Sequence, residues 1–421
     1  MRLDINFVMM TDKLFKKYNL IVGWAVFAIA LLTYSLTVEP TVSFWDCGEY
    51  IATSAKLEVG HPPGAPFFQM MGAFIAAFAP NTDKIALLVN YMSVLSSAFT
   101  VFFLYFIIVN LAKKIALRSA DTLSVAHTVA VMGSGVVGAL AYTFSDSFWF
   151  NAVEAEVYAM AMLFMSVMFW LGIKWTDSLH EPRGDRWLLL ISLVVGLSFG
   201  VHFMALLTIP AIGMLYFFNS HYKKNVWNFL IANVVSIAVL LLIFKLILPY
   251  TLAYFGYLEV YFVNSFGMPF NSGTIIAGLT LVAFFFFALR YASQKKKVRL
   301  QTATLCLLFV FIGFSSWLMI PIRSNADTVI NENSPTDARL LLAYYNLEQY
   351  PETHLFYGPM YSDKYAGIDE DYPYQDAKPK YERDYTTGRY IIVNQYKNAQ
   401  VASNRKQMGF LPRMWSPQHA A

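Results

Sequence analysis

"NLIVGWAVFAIALLTYSLTV" (residues 19–38) is a run of 20 residues without a charged side chain. A helix of about 20 apolar residues is long enough to cross the ~30 Å hydrocarbon core of a bilayer. Lys13, Lys16 and Lys17 precede the run, as in a signal peptide, but no small-residue cleavage site follows it and further apolar runs come later. We therefore expect a retained first span of an α-helical polytopic membrane protein.

The composition of the chain also indicates a lipid environment. Of the 421 residues, 57% are hydrophobic and 14% are charged, against roughly 25% charged in an average soluble domain. The net charge of +4 comes from basic residues clustered between apolar runs, a pattern that reports membrane orientation rather than binding to nucleic acid. Cys47 and Cys306 are too few for a disulfide framework, so the cysteines do not indicate a redox compartment.

The apolar runs and the basic clusters together predict nine spans. Placing every basic cluster on the cytoplasmic side leaves the short run 67–80 as an interfacial segment on the outer face. The same constraint makes the run 187–218 cross twice, as a hairpin whose outer turn is 200–202. The N-terminus is then cytoplasmic. The spans are predicted in the runs 19–38, 85–112, 126–145, 152–173, 187–218 (twice), 226–249, 273–290 and 300–322.

This topology places four segments on the outer side. They are the loops 39–84, 145–152 and 250–272 and the C-terminal part, 324–421. The C-terminal part contains charged residues throughout, no apolar run long enough to span, and 12 of the 26 tyrosines. We therefore expect two parts, a membrane domain over 1–323 and an extracytoplasmic Tyr-rich region over 324–421, which is a small domain or a large ordered loop.

Two carboxylates lie close together in the first outer loop, in "SFWDCGEYIATSAKLEVGHPPGAPFF" (residues 43–68). Asp46 and Glu49 are three residues apart and share one face of a short predicted helix, with Tyr50 beside them. The His-Pro-Pro sequence that begins at His61 is expected to end that helix, because proline has no backbone N–H to donate. The acids either solvate the interface, with Asp46 capping a helix start, or line a substrate site.

A second polar cluster, "SDSFWFNAVEAEVY" (residues 145–158), lies at the outer mouth of the fourth predicted helix. Asn151, Glu154 and Tyr158 follow helical spacing and are predicted to form one stripe. Glu156 lies off the stripe and is expected to be solvated or to cap the helix. Ionisable residues at a membrane edge are costly and tend to line cavities or substrate paths, so this cluster favours a site on the outer face.

Two further residues are candidates for binding a phosphate. Arg323, in "IPIRSNAD" at the outer end of the ninth span, carries a planar guanidinium that suits a lipid phosphate or diphosphate. Its alternative role is an anchor that reaches the headgroups. His202 is either a turn histidine or a second donor to the same phosphate. Carboxylates on one side and cations on the other would suit the phosphate-linked head group of a lipid.

Several stretches of this chain resemble a known family. The acid and tyrosine of the first outer loop, followed by His-Pro-Pro, resemble the GT-C superfamily of membrane glycosyltransferases. A closer similarity, over roughly residues 19–360, is to a bacterial family related to the transmembrane-protein-260-like protein O-mannosyltransferases. The stretches that carry it are "FWDCGEYIATSAKLEVGHPPGAPFF", "SFWFNAVEAEVYAMAMLF", "GLSFGVHFMALL" and "PIRSNADTVINENSP".

The resemblance implies an inverting transfer of a mannose-like sugar from a polyprenyl-phosphate donor on the non-cytoplasmic face. Asp46 matches the first-loop acid that acts as general base in that superfamily. Cys47 stands where a second acid is usual, so Glu49 is the candidate for the second carboxylate. The leucine that usually follows Pro-Pro is replaced by Gly64.

We therefore expect a polyprenyl-phosphate-sugar-dependent glycosyltransferase in a bacterial inner membrane, acting on Ser/Thr of exported proteins or on glycans, with Asp46 and Glu49 as catalytic residues. A lipid or ion transporter with a carboxylate site at its outer edge is the alternative, and 324–421 would in a third reading bind partners. No metal ligand is assigned, although carboxylates of two loops could hold Mg²⁺ or Mn²⁺. The expected substrate-binding residues are Tyr50, His61, Asn151, Glu154, Glu156, Tyr158, His202 and Arg323.

Overall fold

The computed structural model describes residues 10–118, 121–350, 356–360, 368–369, 371–402 and 404–411. Over these residues the chain is mainly helical, with short strands near its C-terminal end. The helices are α1 (Asp12–Leu36), α2 (Cys47–Lys56), α3 (Pro66–Ala76), α4 (Ile85–Ala116), α5 (Val125–Thr143), α6 (Asp146–Ala152), α7 (Val157–Asp177), α8 (Arg186–Ser198), α9 (Thr208–Asn219), α10 (Val226–Leu241), α11 (Leu248–Phe266), α12 (Ser272–Gln294), α13 (Val298–Phe314), α14 (Met319–Ser324) and α15 (Ala338–Tyr345). The strands are β1 (Tyr357–Pro359), β2 (Tyr374–Gln375), β3 (Lys380–Asp384), β4 (Arg389–Asn394), β5 (Gln400–Val401) and β6 (Met408–Phe410).

Seven helical segments within the described residues are long and apolar enough to cross a membrane. They confirm a polytopic helical membrane protein, with seven long spans where the sequence predicted nine. The two spans expected in the run 187–218 are instead the shorter helices α8 and α9, of 13 and 12 residues. Helices of that length fall short of the ~20 residues that cross the hydrocarbon core. The interruption between them includes residues 200–202, where the sequence predicted a turn.

The short run 67–80 contains α3, which has 11 residues, so the expectation that this run does not span agrees with its helix length. The first N–H groups of a helix lack partners within it, and those of Phe67 and Phe68 donate to the carbonyl of Gly200 at 2.8 and 3.0 Å. A Cβ at Gly200 would lie 2.7 Å from the Cβ of Phe67. The glycine therefore allows the first outer loop to pack against the turn that follows α8.

Most of the predicted outer loop 250–272 is helical, because α11 continues as far as Phe266, and its position on the outer side stays a prediction. A π-helical turn over Leu242–Ile247 joins α10 to α11, and the candidate span Val226–Phe266 has 41 residues. Such a helix is about 60 Å long, twice the ~30 Å hydrocarbon core. The predicted span 226–249 is therefore compatible with this helix, and the part after it is helical where the sequence predicted a loop.

Glu259 in α11 is a buried acid that holds the start of α12. Its carboxylate accepts hydrogen bonds from the N–H groups of Asn271 at 2.6 Å and Thr274 at 2.9 Å. The hydroxyl of Tyr390 in β4 donates to the same group at 3.1 Å. A carboxylate at a helix N-terminus satisfies N–H groups that lack partners within the helix, so Glu259 has a structural role.

Packing divides the chain into two units. The first consists of Met1–Tyr250 and Ala283–Leu341, and the second of Thr251–Val282 and Leu342–Ala421. In the first unit α4 packs against α1, α5 and α7, and α13 packs against α8. In the second unit the described strands pair as three antiparallel two-stranded sheets, β1 with β6, β2 with β5 and β3 with β4. The boundary expected after residue 323, between membrane and extramembrane parts, stays a prediction.

Candidate active site

The first outer loop is built around α2. Asp46 occupies the N-cap position, but its side chain makes no capping hydrogen bond and is 58% exposed. The helix ends at Lys56, before the prolines that were expected to end it, because Leu57 adopts a left-handed conformation with φ 51°. The carboxylate of Asp46 therefore stands at the surface, at the N-terminal end of a helix of ten residues.

His61 binds both oxygens of Glu49. The Nδ1 atom of His61 lies 2.8 Å from Oε2 of Glu49, and the backbone N–H of His61 donates to Oε1 at 2.6 Å. Gly60 leaves room for this approach, since a Cβ there would lie 2.5 Å from Oε1. Glu49 is thus committed to orienting His61, and Asp46 is the more exposed carboxylate of the two.

The surrounding carboxylates favour a protonated His61. The hydrogen bond to Glu49 raises the pKa of His61; burial opposes it, and the charges of Glu49, Asp46 and Glu332 add to the increase. Burial acts to raise the pKa of Glu49, but the hydrogen bonds from His61 outweigh it and leave that pKa lowered. The Nε2 atom of His61 lies 3.8 Å from Oδ2 of Asp46. His61 therefore lies between two carboxylates that favour its protonated form.

The stripe predicted for Asn151, Glu154 and Tyr158 is wrong, because the helix is interrupted between them. The carbonyl of Val153, which lies between α6 and α7, accepts a hydrogen bond from the N–H of Glu39 at 2.9 Å. The connection between α6 and α7 is therefore hydrogen-bonded to the start of the first loop, at Glu39. The three residues consequently occupy different surroundings instead of one helix face.

Glu154 and Glu156 are buried beside the first outer loop, at 2% and 5% exposure. Glu154 accepts a hydrogen bond of 2.6 Å from the hydroxyl of Ser43. Glu156 is the N-cap residue of α7 and accepts from the N–H of Val157 at 3.3 Å, so it caps the helix as expected, but it is not solvated. Burial is the main cause that raises the pKa of both acids, that of Glu156 to about 7.

Cys47 lies against these two buried acids. Its thiol donates to Oε1 of Glu156 at 3.9 Å, and burial, together with the charges of Glu154 and Glu156, raises the pKa of the thiol. A glutamate at position 47 would place a third carboxylate at this spot, at a high desolvation cost. The superfamily that the chain resembles usually has an acid at this position. An uncharged cysteine here is therefore compatible with the burial of Glu154 and Glu156 beside it.

A cavity of about 100 Å³ is lined by residues of the first loop, of the start of α7 and of the turn that follows α8. Tyr50 is buried, and its ring lies 5.8 Å from that of His61 between ring centroids. The ring of Tyr158 lies 5.1 Å from that of His202. The cavity thus brings together six of the residues that the sequence predicted for the site, namely Asp46, Tyr50, His61, Glu156, Tyr158 and His202.

His202 supplies a neutral hydrogen-bond donor to this lining. Its Nδ1 atom accepts from the N–H of Met204 at 3.1 Å, which leaves the proton of the neutral ring on Nε2. Burial lowers the pKa of His202, so the ring stays neutral near pH 7. The cavity therefore contains His61, whose protonated form is favoured by its neighbours, and His202, a neutral ring with one N–H to donate.

Arg323 is not brought into the cavity. Its Nε atom donates to the carbonyl of Leu57 at 2.6 Å, and a terminal nitrogen donates to the carbonyl of Lys56 at 3.2 Å. These carbonyls are at the C-terminal end of α2, about 15 Å along the helix from Asp46. None of the described residues that line the cavity is a lysine or an arginine. The predicted opposition of Asp46 and Arg323 in one chamber is therefore wrong.

A larger and mainly apolar groove of about 360 Å³ adjoins the cavity at Tyr158, which lines both. Phe148 and Met162 contribute apolar atoms to the groove, and Asn151 lies in its lining. Its residues come in part from α5 and α7, which are both long enough to cross a membrane. An apolar groove next to a polar cavity suits an amphiphilic molecule.

Asp46, Glu49 and His61 are also the described residues that could share a metal ion. One ligand atom from each lies within 4.8 Å of the others. However, the 2.8 Å contact between Glu49 and His61 already uses one ligand atom of each. Nε2 of His61, 3.8 Å from Oδ2 of Asp46, is not part of that hydrogen bond, so the three residues combine one hydrogen-bonded pair, Glu49 and His61, with an ion-pair contact to Asp46.

Two residues of this region were not predicted from the sequence. Ser43 binds the buried Glu154, and Glu332 contributes its charge to the surroundings of His61. Both belong to or adjoin stretches that carry the family resemblance. That resemblance was the available signal, but it did not show which side chains of these stretches face the site.

Comparison with known proteins matches two separate parts of the chain. Residues 46–226 match the model of the Protein O-mannosyl-transferase TMEM260 N-terminal domain, and this range contains the whole lining of the cavity. Residues 351–421 match a family of unknown function, DUF8416. No solved structure is significantly similar to the chain.

Two curated proteins are similar to part of this chain. The Protein O-mannosyl-transferase tmem260 of Dictyostelium discoideum is 26% identical over 229 residues, which are 51% of this chain and 25% of the relative. The Protein O-mannosyl-transferase TMEM260 of Mus musculus is 25% identical over 154 residues, 37% of this chain and 19% of the relative. The match thus covers a quarter or less of either relative's length, and the bacterial origin stays a prediction. These matches confirm the predicted resemblance: over part of its length the chain is similar to the TMEM260-like protein O-mannosyl-transferases.

Proposed function

We propose that this protein transfers a mannose-like sugar from a polyprenyl-phosphate donor to Ser/Thr hydroxyls of exported proteins, with inversion at the anomeric carbon. The main support is the cavity in which the exposed carboxylate of Asp46 lies beside the His61 imidazolium. That cavity lies within the range 46–226 that matches the O-mannosyl-transferase model. The names of the relatives supply the reaction class, and the cavity supplies groups that suit it.

Asp46 is the proposed general base. It would accept the proton of the acceptor hydroxyl while the acceptor oxygen bonds to the anomeric carbon and the bond to the donor phosphate oxygen breaks. The bonding electron pair leaves with the phosphate. A positioned general base contributes about 10²–10⁴-fold to such a reaction. Its exposure at the N-cap of α2 keeps the carboxylate accessible to an entering hydroxyl.

His202 and His61 are the proposed partners of the departing phosphate. Negative charge develops on the phosphate oxygen in the transition state, and donors that are already in place stabilise it there. His202 offers a neutral N–H, and His61 offers a positive charge that Glu49 maintains. Arg323, which the sequence suggested for this role, is engaged at the far end of α2.

The groove beside the cavity supports a lipid-linked donor. A polyprenyl chain would pack along the apolar groove at Phe148 and Met162, while its sugar phosphate reaches the polar cavity past Tyr158. A nucleotide sugar would instead place charged and polar groups against apolar walls, which costs free energy. The groove therefore favours a donor with an apolar chain over a soluble one. The predicted orientation puts this site on the extracytoplasmic face.

The purified full chain, reconstituted in vesicles, tests this proposal with labelled polyprenyl-phosphate mannose and a Ser/Thr-containing acceptor polypeptide. We expect label in the acceptor from the lipid-linked donor and none from GDP-mannose. Met162→Trp, which fills the groove, is expected to raise the KM for long-chain donors more than for short-chain ones. Val129→Trp, at an exposed position on α5 outside the groove lining, is the matched control. Equal transfer from GDP-mannose would contradict a lipid-linked donor.

A further inference from the structure

The segment that follows the last long span lies against the loop between α2 and His61. The N–H of Val59 donates to the carbonyl of Ile330 at 3.1 Å, and the N–H of Glu332 donates to the carbonyl of Val59, also at 3.1 Å. Val59 and Asn331 are thus paired in parallel, as neighbouring strands are. Two backbone hydrogen bonds therefore hold this segment against Val59, which lies two residues before His61.

Side-chain hydrogen bonds hold the same segment at its beginning and inside it. Arg323 donates to the carbonyls of Lys56 and Leu57. The side-chain nitrogen of Asn331 donates to the carbonyl of Ser324 at 3.0 Å, which closes the segment into a loop. A guanidinium that donates to carbonyls at a helix C-terminus also interacts favourably with the helix dipole. Residues 323–332 are therefore held in place by specific hydrogen bonds.

The loop before His61 is consequently held on two sides. On one side Glu49 binds the backbone and the ring of His61. On the other side, residues 323–332 pair with Val59 and bring the carboxylate of Glu332 into the surroundings of His61 and Glu49. The described acids that act on His61 are Asp46, Glu49 and Glu332. A change in residues 323–332 would therefore alter both the position and the charge of His61.

We propose that residues 323–332 are a positioning element of the candidate active site, in which Arg323 fixes the end of α2 and Glu332 is paired with Val59, two residues before His61. Arg323 and Glu332 are positioning residues, since they act through His61 and α2. The catalytic consequence of this inference rests on the proposed function. The structural consequence, a fixed loop over residues 57–61, does not.

Hydrogen–deuterium exchange of the full chain in vesicles tests the structural part. In Arg323→Gln we expect the amides of residues 57–61 to exchange roughly tenfold to hundredfold faster, because two hydrogen bonds from a charged donor are lost. Arg339→Gln is the control, since its ion pair is with Asp337. Arg323→Lys serves if the first variant fails to insert, because lysine keeps the charge without the two-pronged geometry. Unchanged exchange in both Arg323 variants would overturn the proposal.

Kinetics separate positioning from the phosphate binding that the sequence suggested for Arg323. A positioning role lowers kcat and leaves the KM for polyprenyl-phosphate mannose unchanged, whereas loss of a phosphate ligand raises that KM. A higher KM with unchanged exchange would therefore assign Arg323 to the donor. If the wild-type protein transfers no mannose, the proposed function fails, and the exchange experiment still decides the structural claim.

The dependence of transfer activity on pH tests the role of Glu332 separately. Glu332→Gln removes a negative charge near His61, so the pKa of His61 falls and the ring loses its proton at lower pH. The alkaline limb of the activity profile is then expected to move to lower pH, while Glu181→Gln, at an exposed position beyond the C-terminal end of α7, leaves it in place. An unmoved limb in Glu332→Gln would remove Glu332 from the positioning element.

Discussion

Asp46 and Glu156 line the same cavity from two segments of the chain, but in opposite states of solvation. Asp46 of the first loop is 58% exposed, whereas Glu154 and Glu156 of the second loop are at most 5% exposed. Burial in a low-dielectric environment disfavours the charged form of an acid, so the pKa values of Glu154 and Glu156 are raised, whereas the carboxylate of Asp46 is accessible. Nearness to the cavity therefore does not make an acid the catalytic base. An acid that takes a proton from an entering hydroxyl must also be accessible to that hydroxyl.

Replacing the exposed acid has the largest expected effect. Asp46→Asn keeps the size of the side chain but cannot accept a proton, so transfer should fall by about 10²–10⁴-fold. Initial rates with saturating donor and acceptor measure this fall. Asp83→Asn is the matched control, because Asp83 is an exposed acid of the same loop outside the cavity lining.

The opposite outcome would exchange the roles of Asp46 and Glu156. If Asp46→Asn retained the wild-type rate while Glu156→Gln lost it, the buried acid would be the base. Burial would then serve to tune a catalytic carboxylate, as in sites that raise a pKa toward neutrality. The exposed carboxylate would be left with a solvating role at the interface.

Glu49 gives the next largest effect, through His61. Glu49→Gln removes a charged acceptor of two hydrogen bonds from His61, and a hydrogen bond to a charged group contributes about 1.5–3 kcal/mol. We therefore expect a roughly tenfold to hundredfold lower kcat. His61→Gln should give a similar loss, and the double variant should lose little more than either single one. Additive losses would show that Glu49 acts independently of His61.

The first of these loops was largely predictable from the sequence, and the second was not. The spacing of Asp46, Glu49 and Tyr50 identified a short helix, and local rules were sufficient there. Around Glu154 the same spacing rule failed, because contacts from distant residues interrupt the helix. Such contacts, including the one from Ser43, join residues more than 100 positions apart, and a local pattern does not contain them.

The contacts of Arg323 and the length of α11 were also not predicted from local sequence patterns. The charge and position of Arg323 suited a phosphate, but its partners are backbone carbonyls, which every residue has and no sequence pattern marks. In α11 the sequence predicted a loop, although residues such as Tyr254 and Tyr257 are helical. Seven of the predicted spans nevertheless correspond to long apolar helices, since periodic and apolar runs are local properties.

The buried acid Glu156 should affect stability more than catalysis. Its pKa is raised from 4.5 to about 7 in the folded protein, so between these pH values the folded state binds more protons than the unfolded state. Stability therefore falls as the pH rises through that window, by at most ~3 kcal/mol. In Glu156→Gln the Tm should fall less between pH 5 and pH 8 than it does in the wild type.

The exposed acid Asp146 of α6 provides the control for this measurement. Asp146→Asn should keep the wild-type dependence of Tm on pH. Glu154→Gln should reduce the dependence as well, because the pKa of Glu154 is also raised by burial. If Glu156→Gln kept the full wild-type dependence, Glu156 would be charged at neutral pH, and the contrast between the two loops would disappear.

The smallest expected effect is that of removing divalent metals. The oxygens of Glu49 are occupied by the ring and backbone of His61, and Asp46 is proposed to remain available for a proton. Transfer should therefore be the same before and after treatment with EDTA, within experimental error. Loss of transfer in EDTA that Mn²⁺ or Mg²⁺ restores, but not in a Glu49→Gln variant, would place an ion among these side chains. Asp46 would then be a metal ligand, and the accessibility that distinguishes it from Glu156 would serve an ion rather than a hydroxyl.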